Sequence, residues 1–221
     1  MLEIYSRRNA SNLLPVMWAV GELRLPYRRH AIGGSFEGTG EPDYLAMNPN
    51  GRIPTIRDGD LVLWESNAIV RHLCRTYDRE HLLLPDNEIS YALSDQWMDW
   101  HKTTLYPAYI ELIWAIVRTE PAVRDETRIA RYRGQTEAAL SILDNHLAMT
   151  PFVAGERLGM ADIPFGPLYF RYLQLDIERP SFPNLDRWYE TFRERPAFVE
   201  HAAFPFGGNP GQWYRIEREL G

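Results

Sequence analysis

Apolar positions come in short alternating runs at the start of the chain and recur at helical spacing from residue 89 onward. Leu2–Tyr5 reads as a strand, and Ser6–Asn12 is polar and turn-like. From Leu13 to Leu25 a helix face appears through Leu14, Met17, Trp18 and Gly21. Pro15 fits its first turn, where a missing N–H costs little, and Pro26 closes the segment. Tyr27–Ile32 reads as a second strand. Strand, helix and strand in that order predict a parallel pair joined by a right-handed crossover. Gly33–Gly40 is a flexible loop, and Pro42–Met47 a short helix ending at Asn48-Pro49.

The stretch from Asn48 to Leu73 organises the chain. Ile53, Thr55 and Ile56 flank Pro54, Asp58-Gly59-Asp60 is a turn signal, and Leu61–Trp64 is a short apolar strand. Ser66 is a natural N-cap for a helix carrying Ile69, Val70, Leu73 and Tyr77. Pro54 lacks a ladder donor, so it belongs at an edge or a strand start. A cis bond there would present the backbone of Ile53 to an outside partner. Glu65 and Ser66 fall at a helix N-terminus, where free N–H groups attract a carboxylate. An edge backbone beside an anion nest suits a short acidic peptide. Residues 1–79 thus read βαβ-α-ββα, a thioredoxin-like outline.

Residues 80–88 read as a linker, and after them the strand signals stop. Ile89–Arg118 is apolar at helical spacing through Leu93, Trp97, Trp100, Leu105, Tyr109 and Leu112, with a bend expected at Pro107. Arg124–Met149 is a second long helix, and shorter ones are expected at Ala161–Leu175, Leu185–Glu194 and Ala197–Ala203. The fold class is an α/β domain followed by an all-α domain over residues 89–221.

Composition narrows the function more than the fold. The 221 residues carry 24 basic and 30 acidic side chains, a net charge of −6 that disfavours a nucleic-acid partner. Lys102 is the only lysine. No segment approaches the roughly 20 apolar residues of a membrane span, and the first residues lack a signal-peptide core. The single cysteine, Cys74, cannot form an internal disulfide. A cytoplasmic protein without membrane contact is expected. The six histidines lack paired ligand spacing, so no metal is expected.

Asn48-Pro49-Asn50-Gly51-Arg52-Ile53-Pro54 resembles the NPxGxVP element of cytosolic glutathione transferases, and Glu65-Ser66-Asn67-Ala68-Ile69 their ESxAI element. Their order and spacing, the helical second half, and Gly159-Met160-Ala161-Asp162 before an apolar helix extend the resemblance to nearly the whole chain, as a bacterial theta- or nu-like member. The resemblance implies glutathione as co-substrate and a homodimer. It implies that the Ile53 backbone pairs with the cysteinyl part, next to a cis Pro54. Glu65 would face the γ-glutamyl ammonium, Ser66 its carboxylate and Arg52 the glycyl carboxylate. Read from local sequence alone, starting their helix is the favoured role of Ser66 and Glu65; the proline hairpin and the resemblance put glutathione binding ahead.

Such an enzyme lowers the pKa of a thiol that titrates near about 8.5 when free. Asn12, Ser11 and Tyr5 are the candidate donors to the sulfur, with Asn9 behind them. Ala10 stands where serine-type members place their catalytic serine, and Asn12 aligns with an asparagine used by the nu class. N-capping of the first helix is the competing role for Ser11 and Asn12; a packed strand aromatic is that for Tyr5. Cys74 is in helical register with Val70 and Tyr77 and reads as a buried structural thiol. Trp100, Tyr106, Tyr109 and Trp114 are candidate walls for the second substrate, with His101 among them. The tail, through Phe204, Phe206 and Trp213, is expected to fold back over the site. The Asp162 segment departs from the family's capping box at Gly159, a structural motif in which Asp162 still receives N–H bonds. The function implied is attack of glutathione on a small apolar electrophile. A glutathione-dependent disulfide-bond oxidoreductase or peroxidase, and a non-catalytic binding or assembly module, are the alternatives.

Overall fold

The computed structural model describes residues 1–221. Its sheet has four strands, β1 (Leu2–Tyr5), β2 (Tyr27–His30), β3 (Thr55–Asp58) and β4 (Leu61–Trp64), in the order β2-β1-β3-β4. β1 and β2 are parallel in the register Leu2 to Tyr27, through the crossover helix α1 (Leu13–Glu22). β3 is antiparallel to both β1 and β4. The β3–β4 turn needs Gly59, whose φ of +59° a side chain rarely adopts. α2 (Pro42–Met47) precedes β3, and Pro54 lies one residue before that strand, where its missing donor costs the ladder nothing. The Ile53–Pro54 peptide bond is cis.

α3 (Ser66–Tyr77) begins at Ser66, but its N-cap is Glu65, at φ +72°, so Ser66 is the first helical residue rather than the cap. Residues 78–87 carry neither helix nor strand. Asp78 holds this segment by accepting from the N–H groups of Leu82, Leu83 and Leu84 at 2.6–2.8 Å. Arg157 donates to the carbonyls of Leu82 and Leu84 at 2.9–3.0 Å.

The expected long helix from residue 89 is three pieces: α4 (Glu88–Trp100), a π-helical turn (His101–Leu105) and α5 (Tyr106–Val117). The break falls just before Pro107, which cannot donate into the preceding turn. α6 (Glu126–Leu147), α7 (Phe165–Leu173), α8 (Pro183–Glu190), α9 (Pro196–His201) and α10 (Pro210–Leu220) complete the helical part. α10 was not apparent from the sequence pattern, although Asn209 caps it and Pro210 opens it. Asp162 accepts from the N–H of Gly159 at 2.9 Å and of Val153 at 3.0 Å, and from the Trp188 indole at 2.7 Å. Gly159 therefore leaves the capping carboxylate fully engaged.

One continuous apolar cluster runs through sheet and helices. Trp18 of α1 sits at its centre, 5.0 Å from Phe192 and 4.9 Å from Phe198 by ring centroids. Its indole N–H donates to Glu22, which is paired with Arg195 at 2.6 Å. Asn67 of α3 donates to the Met98 carbonyl of α4 at 2.6 Å. These contacts set the helical part firmly against the sheet, and the cleft between them inherits that rigidity.

Candidate functional site: a polar cleft between sheet and helices

A cleft of about 200 Å³ opens where the β3 entry loop, the start of α3, the start of α1 and the π turn meet. Arg52, Ile53 and Pro54 enter from the loop, Glu65 and Ser66 from α3, Asn12 from α1, and Lys102 and Tyr106 from the helices. The loop is built by two side chains behind it. Buried Asn48 donates to the Arg52 carbonyl at 2.8 Å and to Thr55 Oγ1 at 3.1 Å, while its own oxygen accepts from the Asn50 N–H. Tyr44 donates to the same Arg52 carbonyl at 2.7 Å. With the Arg52 carbonyl doubly held, Ile53 is left with neither its N–H nor its C=O hydrogen-bonded inside the chain. Such a backbone wants a partner.

The start of α3 carries the complementary groups. The Glu65 carboxylate is exposed and makes no ion pair, and the Ser66 hydroxyl makes no hydrogen bond within the chain. The φ of Glu65, +72°, is uncommon for a residue with a side chain and turns the chain sharply into α3. The free N–H groups of the first turn open at the same place. Arg52 is exposed at the rim.

At the other end of the cleft Asn12 occupies the N-cap position of α1 without making a side-chain cap bond. Its Oδ1 accepts from Lys102 Nζ at 2.8 Å, which leaves Nδ2 as the donating end of the amide. Lys102 is half-buried, stands 4.6 Å from the centre of the Tyr106 ring, and is pushed down to about 8 by burial against the pull of Glu65. Its placement was invisible in the sequence, where a lone lysine on a helix reads as a solvated charge.

Ser11 points inward instead. Its Oγ accepts from Arg171 at 2.8 Å, beside a void of about 10 Å³ lined by His101, Tyr106 and Tyr109. Asn9 is buried; its carbonyl accepts from Arg171 at 2.9 Å and its Oδ1 from Arg7 at 3.2 Å. Burial among helices holds His101 neutral, well below its ordinary range. The structure does not bring Tyr5 to the cleft. Its hydroxyl donates to Glu3 at 3.2 Å and its ring stacks on His30 at 4.6 Å. Strand alternation sends it to that side of the sheet.

Of the four aromatic walls, Tyr106 lines the cleft and Tyr109 lies buried behind it. Trp100 does not line it: its indole packs between Trp97 and Phe165 at 5.2 and 6.1 Å. Trp114 is 43% exposed and sits beside Arg118. The π turn is the physical reason. It inserts an extra residue per turn, so positions that share one stripe at uniform spacing fall on different faces. Cys74 is fully buried, and burial pushes its thiol far above the ordinary range. The tail folds back against the β1–α1 loop. Phe206 and Trp213 are buried beside Arg171, Arg8 covers Phe204, and Glu217 pairs with Arg7 at 2.5 Å.

A thioredoxin-like sheet domain whose cis-proline loop and helix start face a helical domain defines the glutathione-transferase class of fold. Family models agree: residues 1–75 match "Glutathione S-transferase, N-terminal domain" and residues 105–196 match "Glutathione S-transferase, C-terminal domain". The chain belongs to the glutathione S-transferase family. It is 37% identical to the glutathione S-transferase GstB of Escherichia coli over 93% of this chain and 99% of that protein. The theta-class glutathione S-transferase of Xanthomonas axonopodis pv. citri, solved with glutathione bound, superposes with a TM-score of 0.89 at 40% identity over 93% of this chain and 99% of that one. A Bombyx mori glutathione transferase superposes at 0.83 with 26% identity, covering 99% and 97% of the two chains.

Proposed function

We propose that the protein is a glutathione transferase that holds glutathione in the polar cleft and delivers its sulfur, as a thiolate, to a small apolar electrophile. The observation that carries this reading is the convergence of three unsatisfied groups, the Ile53 backbone, the Glu65 carboxylate and the Ser66 hydroxyl, on one cleft. Glutathione offers the matching set. Its cysteinyl amide meets the Ile53 backbone, and its γ-glutamyl ammonium meets Glu65. Its α-carboxylate meets Ser66 with the first-turn N–H groups of α3. Arg52 at the rim takes the glycyl carboxylate. Asn12 donates to the sulfur through Nδ2, because Ser11 lines the small inner void rather than the cleft and Tyr5 lies outside both.

Catalysis in this reading is orientation plus a lowered thiol pKa, with no covalent enzyme intermediate. The thiol proton passes to water, the sulfur lone pair forms the new C–S bond, and the leaving group takes the electrons of the bond that breaks. Residues 1–79 supply the glutathione site and residues 89–221 the electrophile wall, with Tyr106 nearest the reacting sulfur and 80–88 joining them. Resemblance to bacterial glutathione transferases supports a cytoplasmic homodimer that detoxifies electrophiles. A second reading, reduction of disulfides or peroxides through glutathione's own sulfur, is favoured by Asn12 at the cleft in place of a serine.

Calorimetric titration with glutathione tests the site. A hydrogen bond from Ser66 to a carboxylate is worth roughly 1.5–3 kcal/mol, so Ser66→Ala binds roughly ten- to a hundredfold more weakly. Unchanged affinity contradicts the assignment. Turnover of an aryl halide against a mixed disulfide, assayed side by side, separates the two readings.

A further inference from the structure

Lys102 is the one charged group of the cleft that the proposed glutathione contacts leave unassigned. It is the only lysine of the chain, it stands on the π turn, and π turns recur at functional positions. Its ammonium is within hydrogen-bonding range of no carboxylate; its one side-chain hydrogen bond goes to the neutral amide of Asn12 at 2.8 Å. The titratable groups that face it are Glu65 across the cleft, His101 on its own turn and Tyr106 on α5. Glu65 is claimed by the ammonium of the bound peptide, His101 is held neutral, and Tyr106 offers only its ring face. A half-buried ammonium with no carboxylate in contact, in a cleft proposed to receive an anionic peptide, is a site for negative charge.

Two anions could answer it: the thiolate or a carboxylate of the ligand. The contact with Asn12 decides between them. Lys102 binds the oxygen of the same amide whose nitrogen is the proposed donor toward the sulfur, so the ammonium and that donor lie within one side chain of each other at the α1 end of the cleft. Glu65, Ser66 and Arg52, the carboxylate and ammonium partners, come from other elements of the cleft.

We propose, resting on the glutathione reading of this cleft, that Lys102 is the counter-charge of the bound thiolate and fixes Asn12 with its amide nitrogen toward the sulfur. When glutathione binds, the S–H bond breaks with its electron pair left on sulfur, the proton goes to water, and Lys102 stays protonated. The thiolate in turn favours the charged form of Lys102, reversing the effect of burial in the free protein, where it is pushed down to about 8.

The test is the ultraviolet thiolate absorbance of bound glutathione titrated with pH, in wild type, Lys102→Met and Lys102→Arg. Binding of glutathione and of S-methylglutathione, which keeps both carboxylates but has no ionisable thiol, is measured in parallel. An opposite charge within about 4–6 Å moves a pKa by one unit or more. Lys102→Met therefore raises the thiol midpoint by at least about one unit. It weakens glutathione at pH 7.5 and leaves S-methylglutathione unchanged, and Lys102→Arg restores most of the midpoint. An unmoved midpoint in Lys102→Met overturns the proposal, whether or not the variant is less stable. Equal weakening of both ligands overturns it as well, and assigns Lys102 to a carboxylate. If wild type itself fails to bind glutathione or to shift its thiol, the glutathione reading fails, independently of Lys102.

Discussion

Lys102 illustrates how a residue can be poor for the fold and useful for the site. Burial holds its pKa near 8, against an ordinary value of 10.5. In the free protein the folded state therefore binds this proton less tightly than the unfolded chain does. Between pH 8 and 10.5 the unfolded chain holds a proton that the folded one has released, so this group's penalty shrinks as pH rises through that window and is full below it. Lys102→Met, which keeps the apolar stem, is expected to raise the melting temperature of ligand-free protein at pH 7, with the gain diminishing toward pH 9.5. A gain that does not depend on pH would point to packing rather than charge. Stability held below its attainable maximum at a binding site is a common trade. Nothing in the residues around position 102 betrays this role, because its partner, Asn12, lies 90 positions away.

α10 docks on the 3₁₀ turn at Gly34–Phe36 through Glu217, whose carboxylate accepts from the Ser35 N–H at 2.8 Å and pairs with Arg7. Glu217 is buried and Arg7 nearly so. Removing one partner of such a pair costs about 3 kcal/mol, because the other charge remains buried without compensation. Glu217→Gln should lower the free energy of unfolding in denaturant by that order; a change within about 0.5 kcal/mol, the range of an ordinary surface substitution, would show that α10 is not held this way. The strands and the helices α1, α2 and α3 were legible because alternation, Pro26 and the Asp-Gly turn mark them locally. The loop at Pro54 and the polar start of α3 were legible for the same reason, and they line the cleft proposed to receive the peptide. The aromatic wall was not. A stripe drawn at uniform spacing from Trp97 through Trp114 assumes a continuous helix, and the π turn breaks that phase between Trp100 and Tyr106. Ser11 and Asn12 stood level in sequence with Tyr5 behind them; the fold separates the first two by turning Asn12 to the cleft and Ser11 to Arg171.

For the whole molecule, the arrangement explains why binding and activation can share one rigid frame. The sheet part brings unsatisfied backbone and carboxyl groups, and the helical part brings the cation and the aromatic wall. Trp18, Asn67 and the Glu22–Arg195 pair keep the two parts in fixed relation. A cleft preorganised in this way spends little of its binding energy on rearrangement, so more of it is available to shift the thiol equilibrium. The central claim is that the cleft turns glutathione into a thiolate near neutral pH. The most direct measurement is the thiolate absorbance of glutathione bound to the wild-type protein, titrated from pH 5 to 10. The account predicts a midpoint at least about one unit below that of free glutathione, since a donor and a nearby cation each favour the charged form. Saturating binding with an unshifted midpoint would contradict it.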